Sequence, residues 1–191
     1  MEKSLIVNLR EITYEDLSIM LAWAWIPEIW KYMPTSREGE RLLWEEHLKW
    51  FRSRKNRIDW LVILNNLDGP ISSKRPVGEI HVCDDESGIP EIGMYLGEVG
   101  IWGKGVGGLA LGLAIDQLVI LNYGKVRAQI HPENVISKAL FMKKGFRLLP
   151  MEVGRNGQQV YELDLRPPLR RKIPEYGPRE RTKLSLQPVF A

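Results

Sequence analysis

The stretch "IWGKGVGGLALG", residues 101–112, holds five glycines in twelve positions and then runs straight into apolar sequence. Glycine costs about 1 kcal/mol relative to alanine inside a helix and adds no core area. Its use here therefore points to a tight turn, a close helix contact, or backbone left bare for a ligand. A strand, a glycine-rich turn and a helix in succession suit pyrophosphate, because main-chain N–H groups converge on its oxygens with no Cβ in the way. Two nucleotide signatures fit poorly. Residues 102–107 lack the Gly-Lys-Ser/Thr ending of a P-loop. Gly103, Gly105 and Gly108 satisfy G-x-G-x-x-G, but that dinucleotide loop belongs at the first strand of its fold, and this one lies mid-chain.

The segments before the loop read mostly as strands. "RIDWLVIL" is one, followed by a turn at Asn65–Ser73, and "RPVGEIHVCDD" and "PEIGMYLGE" are two more, separated by "DESGIP". Further upstream, "SLIVNLREI" is a first strand, and "TYEDLSIMLAWAW" starts a helix capped by Thr13 or Asp16. Pro27 and Pro34 break the chain around "IPEIWKYMP". "TSREGERLLWEEHLKWFRSR" is a second, amphipathic helix, with Leu43, His47, Trp50 and Phe51 at helical spacing.

Downstream of the loop, "LALGLAIDQLVILN" is apolar nearly all round and reads as a buried helix. "KVRAQIHP" is a strand, and "ENVISKALFMKKG" is a helix closed by Gly145. "FRLLPMEV" and "QQVYELDL" form a hairpin around Arg155-Asn156-Gly157, where the Asn-Gly pair suits positive φ. The order is strand, two helices, three strands, glycine loop and helix, strand, helix and closing hairpin. That is an α/β (α+β) mixture with a largely antiparallel first half. A doubly wound fold would alternate strand and helix from its start.

The bulk composition narrows the class. The chain has 191 residues, 44% of them hydrophobic and 27% charged, which suits one domain with a sizeable core. No stretch nears the ~20 apolar residues of a membrane span, and the three-residue apolar run before Asn8 is too short for a signal peptide. The lone Cys83 has neither a disulfide partner nor a companion for a metal site, so a cytoplasmic setting is expected. Residues 166–191 contain seven basic and two acidic residues and five of the twelve prolines. Against a whole-chain charge of +3, this leaves residues 1–165 at −2. The domain is thus expected to be 1–165, with 166–191 a basic, extended or disordered tail. The charge of the body argues against nucleic acid as its partner. The tail suits an arm swapped onto a second subunit, a contact with RNA, or neither.

The loop does not stand alone. "WGKGVG", a buried helix, a strand and then "HPENVISKALFMKKGF" together resemble the GNAT superfamily of acetyl-CoA-dependent N-acetyltransferases. Gly105 and Gly107 fill the family's glycine positions, and Asn134, Ser137, Phe141 and Gly145-Phe146 fill its later ones. Trp102 stands where Gln or Arg is usual. The resemblance implies a mixed, mostly antiparallel central sheet with flanking helices and a splayed cofactor cleft. It implies acetyl-CoA as co-substrate, with no metal. Main-chain N–H groups from Trp102 through Gly103, Lys104, Gly105, Val106 and Gly107 would hold the pyrophosphate. Met94, Tyr95 and Leu96 would pair with the pantetheine arm, and an N–H near Met94 or Tyr95 would stabilise the oxyanion. Asn134 would bond the arm, Ser137 would approach its sulfur, and Phe141 would lie along the cofactor.

The resemblance also assigns acid–base roles. Glu91, eleven residues ahead of Trp102, matches the general-base glutamate of histone-type members. Phe141 occupies the place of the family's tyrosine acid and has no proton to give. A thiol with an ordinary pKa of ~8.5 can leave as thiolate unaided. An acceptor of low pKa is therefore expected, such as a peptide N-terminus (~7.7–8.0) or an amino sugar, rather than a lysine-like amine at ~10.4. "WAWIPEIWKYMP" and "WEEHLKWF" look like the helices that cover the acceptor in the ribosomal-protein N-terminal and nucleotide-amino-sugar branches. Trp25, Trp30 and Tyr32, with Met33, are the candidate stacking wall for that acceptor, or else pack the helices. Glu79 and His81, two apart on one strand face, are the candidate pocket lining. The rival reading is a non-catalytic acetyl-CoA-binding or RNA-associated module that keeps the fold.

Overall fold

Strand β2 (Arg57–Asn66) carries one apolar stripe on each of its faces. Trp60, Val62 and Leu64 join one core cluster, while Leu61 and Ile63 join another. A strand apolar on both sides must be covered on both sides, and the rest of the fold supplies the two covers. The computed structural model describes residues 5–33, 43–66, 73–84 and 88–166. The tail beyond Arg166, the turn after Asn66 and the first part of the expected second helix lie outside the described residues.

The sheet has seven strands. The others are β1 (Ile6–Glu11), β3 (Ser73–Asp84), β4 (Pro90–Leu96), β5 (Lys125–Ile130), β6 (Arg147–Val153) and β7 (Gln159–Asp164), in the order β1-β2-β3-β4-β5-β7-β6. Every neighbouring pair is antiparallel except β4 and β5. This is the mixed, mostly antiparallel sheet that the resemblance implied, and its first half is antiparallel as the order of segments suggested. The β6–β7 hairpin turns at Asn156 (φ 52°) and Gly157 (φ 74°), the positive φ that the Asn-Gly pair favours.

On one face lies α4 (Val106–Ile120), burying Val106, Ala110, Leu111, Ala114 and Leu118 against the β2–β5 stripe. The helix was expected to be buried all round, and it is not. Leu109, Leu113, Val119 and Ile120 are exposed, Ile120 by 72%. A helix laid on a sheet can bury only the side that meets it, so apolar composition overstated the burial.

The opposite face is covered by α1 (Leu17–Trp23), α2 (Pro27–Trp30) and α3 (Trp44–Ser53). Thr13 leads a turn of 3-10 helix into α1, and the Asp16 carboxylate accepts from the Thr13 N–H at 2.8 Å. The Arg10 guanidinium grips the same carboxylate with two bonds of 2.7 Å and holds it below the usual carboxylate range. Pro27, expected to break the chain, instead opens α2 at its first position, where no N–H is needed. Helix α5 (Val135–Lys143) follows β5 and ends at Gly145, φ 95°.

Candidate active site

Strands β4 and β5 pair only at Glu91↔Arg127. Beyond that point no ladder joins them among the described residues, so Met94, Tyr95 and Leu96 line an open seam. The loop that follows is built from main chain. Gly97 donates to the Val77 carbonyl at 2.8 Å, and Lys104 to that of Ile101 at 3.2 Å. The Trp102 indole donates to the Leu96 carbonyl at 3.1 Å, tying the loop to the end of β4.

Gly103 (φ 76°) and Gly105 (φ 87°) both hold left-handed backbone, and a Cβ at either would meet no atom within 4 Å. These two glycines thus serve conformation and leave open space above the loop; packing does not require them. The first bond internal to α4 runs from the Leu109 N–H to the Gly105 carbonyl at 3.1 Å. The amides of Val106, Gly107 and Gly108 therefore lack an intrahelical acceptor. Gly107 differs in role, since its Cβ position lies 3.5 Å from Leu140. It sits where α4 meets α5.

Across the seam, Asn134 caps α5, its Oδ1 accepting from the Ser137 N–H at 3.1 Å. Ser137 lies half-buried in the first turn. Phe141 is 3% exposed and meets Phe146 edge-on at 5.0 Å. Its ring belongs to the core below the cleft.

The α1–α3 side of the sheet is organised in rows across three strands. Arg57, Cys83 and Glu91 form one row, Asp59, His81 and Gly93 the next, and Leu61, Glu79 and Tyr95 a third nearest the open seam. Asp59 is buried and paired with Arg57 at 2.6 Å and Arg54 at 2.9 Å. Arg57 also reaches Glu79 at 3.5 Å. Burial pushes the Glu79 carboxyl up, but His81, Arg57 and the Tyr95 hydroxyl outweigh it and hold the group below the carboxylate range. Burial, reinforced by Glu79, keeps the Tyr95 hydroxyl well above its ordinary pKa, and so protonated.

Aromatic side chains close this floor from above. Trp30 packs on Tyr95 at 5.7 Å and donates its indole N–H to the Trp23 carbonyl. Trp23 meets Tyr95 edge-on at 6.0 Å and lies flat over Gly97. His47 stacks on Trp50 at 5.2 Å, and its buried Nε2 has no hydrogen-bond partner. Burial lowers its pKa, opposed by Glu79. The expected wall is therefore split. Trp30 lies against Tyr95, Tyr32 meets the His131 ring at a tilt with centroids 5.2 Å apart, and Trp25 is 48% exposed on the turn after α1.

Glu91 occupies the closed end of the seam. Its two oxygens accept from Arg155 Nη2 at 2.5 Å and Gln129 Nε2 at 2.6 Å. The carboxylate thus clamps β4 to β5 and to the β6–β7 turn.

Residues 7–147 match the family described as Acetyltransferase (GNAT) domain. The chain belongs to the GNAT acetyltransferase family. A relative from Methanocaldococcus jannaschii, uncharacterized protein MJ1062, is 35% identical over 159 residues. That match takes in 83% of this GNAT chain but 31% of the relative, so the chain spans about a third of the relative's length. A solved domain from Methanocaldococcus jannaschii superposes with TM-score 0.75 at 34% identity, over 84% of this chain and 99% of that one. The aminoglycoside acetyltransferase AAC(6')-Ib, in complex with coenzyme A, shares the fold at TM-score 0.68 and 16% identity, over 83% and 95% of the two chains. A further crystal of that protein contains coenzyme A and kanamycin, at TM-score 0.67 over 83% of this chain and 95% of that one, with 16% identity.

Sequence reasoning missed Arg54, Arg57 and Asp59 as parts of the polar floor. One local signal existed: Arg57 and Asp59 are two apart on a strand and so share a face. Their neighbours on β3 and β4 came only from register.

Proposed function

We propose that this GNAT chain moves the acetyl group of acetyl-CoA to a primary amine by direct attack within a ternary complex. The observation that carries this reading is the conjunction at the end of β4. Two left-handed glycines under open space, a helix start with unclaimed amides and an unpaired strand edge meet within fourteen residues, from Met94 to Gly107. These features fit a pyrophosphate followed by an extended amide-bearing arm: N–H groups face the anion, and strand edge is offered to the arm. That AAC(6')-Ib accommodates coenzyme A on the same fold supports the fit.

In this reading, the loop amides of Gly103, Gly105, Val106 and Gly107 bind the diphosphate, while those of Trp102 and Lys104, expected to join them, are engaged by the Val99 and Ile101 carbonyls; the Lys104 side chain adds charge. Met94 to Leu96 pair with the arm, and an N–H near Met94 polarises the thioester carbonyl. Asn134 contributes its side-chain amide, Ser137 lies toward the sulfur, and Phe141 supports the cleft from the core. The amine nitrogen adds to the carbonyl carbon, the tetrahedral oxyanion collapses, and the carbon–sulfur bond breaks to release the thiolate. The amine's proton must leave for this to occur. Trp30, Glu79, His81 and Tyr95 surround the acceptor, with Trp25 and Tyr32 at its margins. Because Phe141 brings no acid, the preferred acceptor is a low-pKa amine, an amino sugar or peptide N-terminus.

Calorimetry with coenzyme A, followed by thiol release from acetyl-CoA with D-glucosamine, a Ser-Ala-initiated peptide, kanamycin and spermidine, tests this. Binding of coenzyme A and faster turnover of the first two acceptors are expected. Absence of coenzyme A binding overturns the reading, and comparable rates with spermidine remove the low-pKa preference.

A further inference from the structure

Two groups on the β2–β4 floor bear chemistry at different depths in the seam. Glu91 lies three residues before Met94, about 10 Å back along an extended strand. Its oxygens are claimed by Arg155 and Gln129. A general base must come within hydrogen-bond reach of the proton it takes, or within one water of it. His81 lies one row closer. It sits opposite Gly93, the residue beside Met94, and its Nε2 would lie 2.5 Å from a Cβ at that position. The imidazole thus rests on bare backbone that only glycine provides.

The other side of the ring faces a carboxylate. Nδ1 is buried, has no hydrogen-bond partner, and lies 3.6 Å from Glu79 Oε1. The side chain keeps 23% of its surface exposed, whereas that of Glu79 keeps 6%. With Nε2 over Gly93 and a carboxylate near Nδ1, an imidazolium formed by proton uptake at Nε2 has a negative charge beside it.

We propose that His81 is the general base of this acetyl transfer, with Glu79 as its positioning residue and Gly93 as the residue that admits the ring. The inference rests on the acetyltransferase reading above. As the acceptor nitrogen attacks, Nε2 takes its proton while the thiolate leaves; the thiolate is then protonated, from solvent or from His81. Around the imidazole lie Asp59 and Arg57 on β2, Glu79 on its own strand and Tyr95 and Glu91 on β4. From the α3 end, His47 feels the charge of Glu79 and Arg54 pairs with Asp59. Asp59 is paired with the guanidiniums of Arg54 and Arg57, and Arg57 also reaches Glu79.

The test uses the full chain with the fastest acceptor of the panel. His81→Gln should lower kcat by about 10²–10⁴-fold while coenzyme A affinity by calorimetry stays within twofold. The acid limb of the kcat/KM–pH profile should have a shallower slope in the variant than in the parent. Gly93→Ala should reproduce the His81→Gln loss, and the double variant should be no slower than either single one. His81→Gly should regain rate in imidazole buffer, a result that a structural role would not give. Glu79→Gln should lower kcat with little change in KM. If His81→Gln keeps the parental rate and slope while Glu91→Gln loses both, the proposal is overturned. A parent that binds coenzyme A yet acetylates no amine overturns the acetyltransferase reading itself.

Discussion

The loop from Gly97 to Gly107 and the floor formed by β2, β3 and β4 face the same seam but are built from different materials. The loop is made almost wholly of backbone: two left-handed glycines, unclaimed amides and one indole tie. The floor is made of side chains held by one another, with Asp59 between two arginines and Glu79 among Arg57, His81 and Tyr95. Main chain can recognise a group common to every turnover, such as the diphosphate proposed above, without depending on side-chain identity. Side chains can differ from one relative to another, as an acceptor requires. The difference predicts opposite responses to mutation in the two regions.

The largest effect is expected in the floor. Asp59→Ala leaves Arg54 and Arg57 without their buried partner and should cost about 3–5 kcal/mol of stability, read as a lowered urea midpoint. In the loop, Gly105→Val faces no steric obstacle, because a Cβ there meets nothing within 4 Å. The left-handed backbone alone should cost about 1–3 kcal/mol. Calorimetry should show coenzyme A affinity reduced at least ~10-fold, about 1.4 kcal/mol. Unchanged affinity would break the distinction between the regions.

A smaller effect concerns His47. Burial depresses its pKa in the folded chain below the ordinary value of about 6.5. The unfolded chain then binds the extra proton more readily, so stability is whole above pH 6.5 and falls as the pH drops from there through the folded pKa. His47→Phe should flatten that slope in denaturant titrations at successive pH values, and an unchanged slope would remove His47 as its source. Smallest of all is Lys104→Ala. Lys104 is an exposed loop residue, and a solvated charge contributes at most about 1 kcal/mol. Coenzyme A affinity should weaken by less than ~5-fold, and a larger loss would mean that side chains, too, carry recognition in the loop.

The two regions also differed in how far they were legible before any coordinates. Glycine spacing is local, so the turn at residues 103–105 and the helix after it could be read from a dozen letters. The Gly145 stop was legible for the same reason, whereas the Asn134 cap emerged only from the fold. Glu91, by contrast, was placed by its distance from Trp102 along the chain, which is blind to Arg155, sixty-four residues further on. The aromatic wall was read as one patch because Trp25, Trp30 and Tyr32 are near in sequence. In the fold they go to three places, since Trp30 lies on α2 while Trp25 and Tyr32 lie in the turns that follow α1 and α2.

By itself the sequence determined the order of the elements, α2 apart, the antiparallel first half and the bare-backbone loop, because periodicity, turn chemistry and glycine spacing act over a few residues. Only tertiary structure decided which side of α4 stays wet, which carboxylate is already engaged, and that Asp59, His81 and Gly93 lie in one row. Those facts depend on strand register and helix docking. Both are settled by the summed burial of segments far apart in the chain, which no local pattern records.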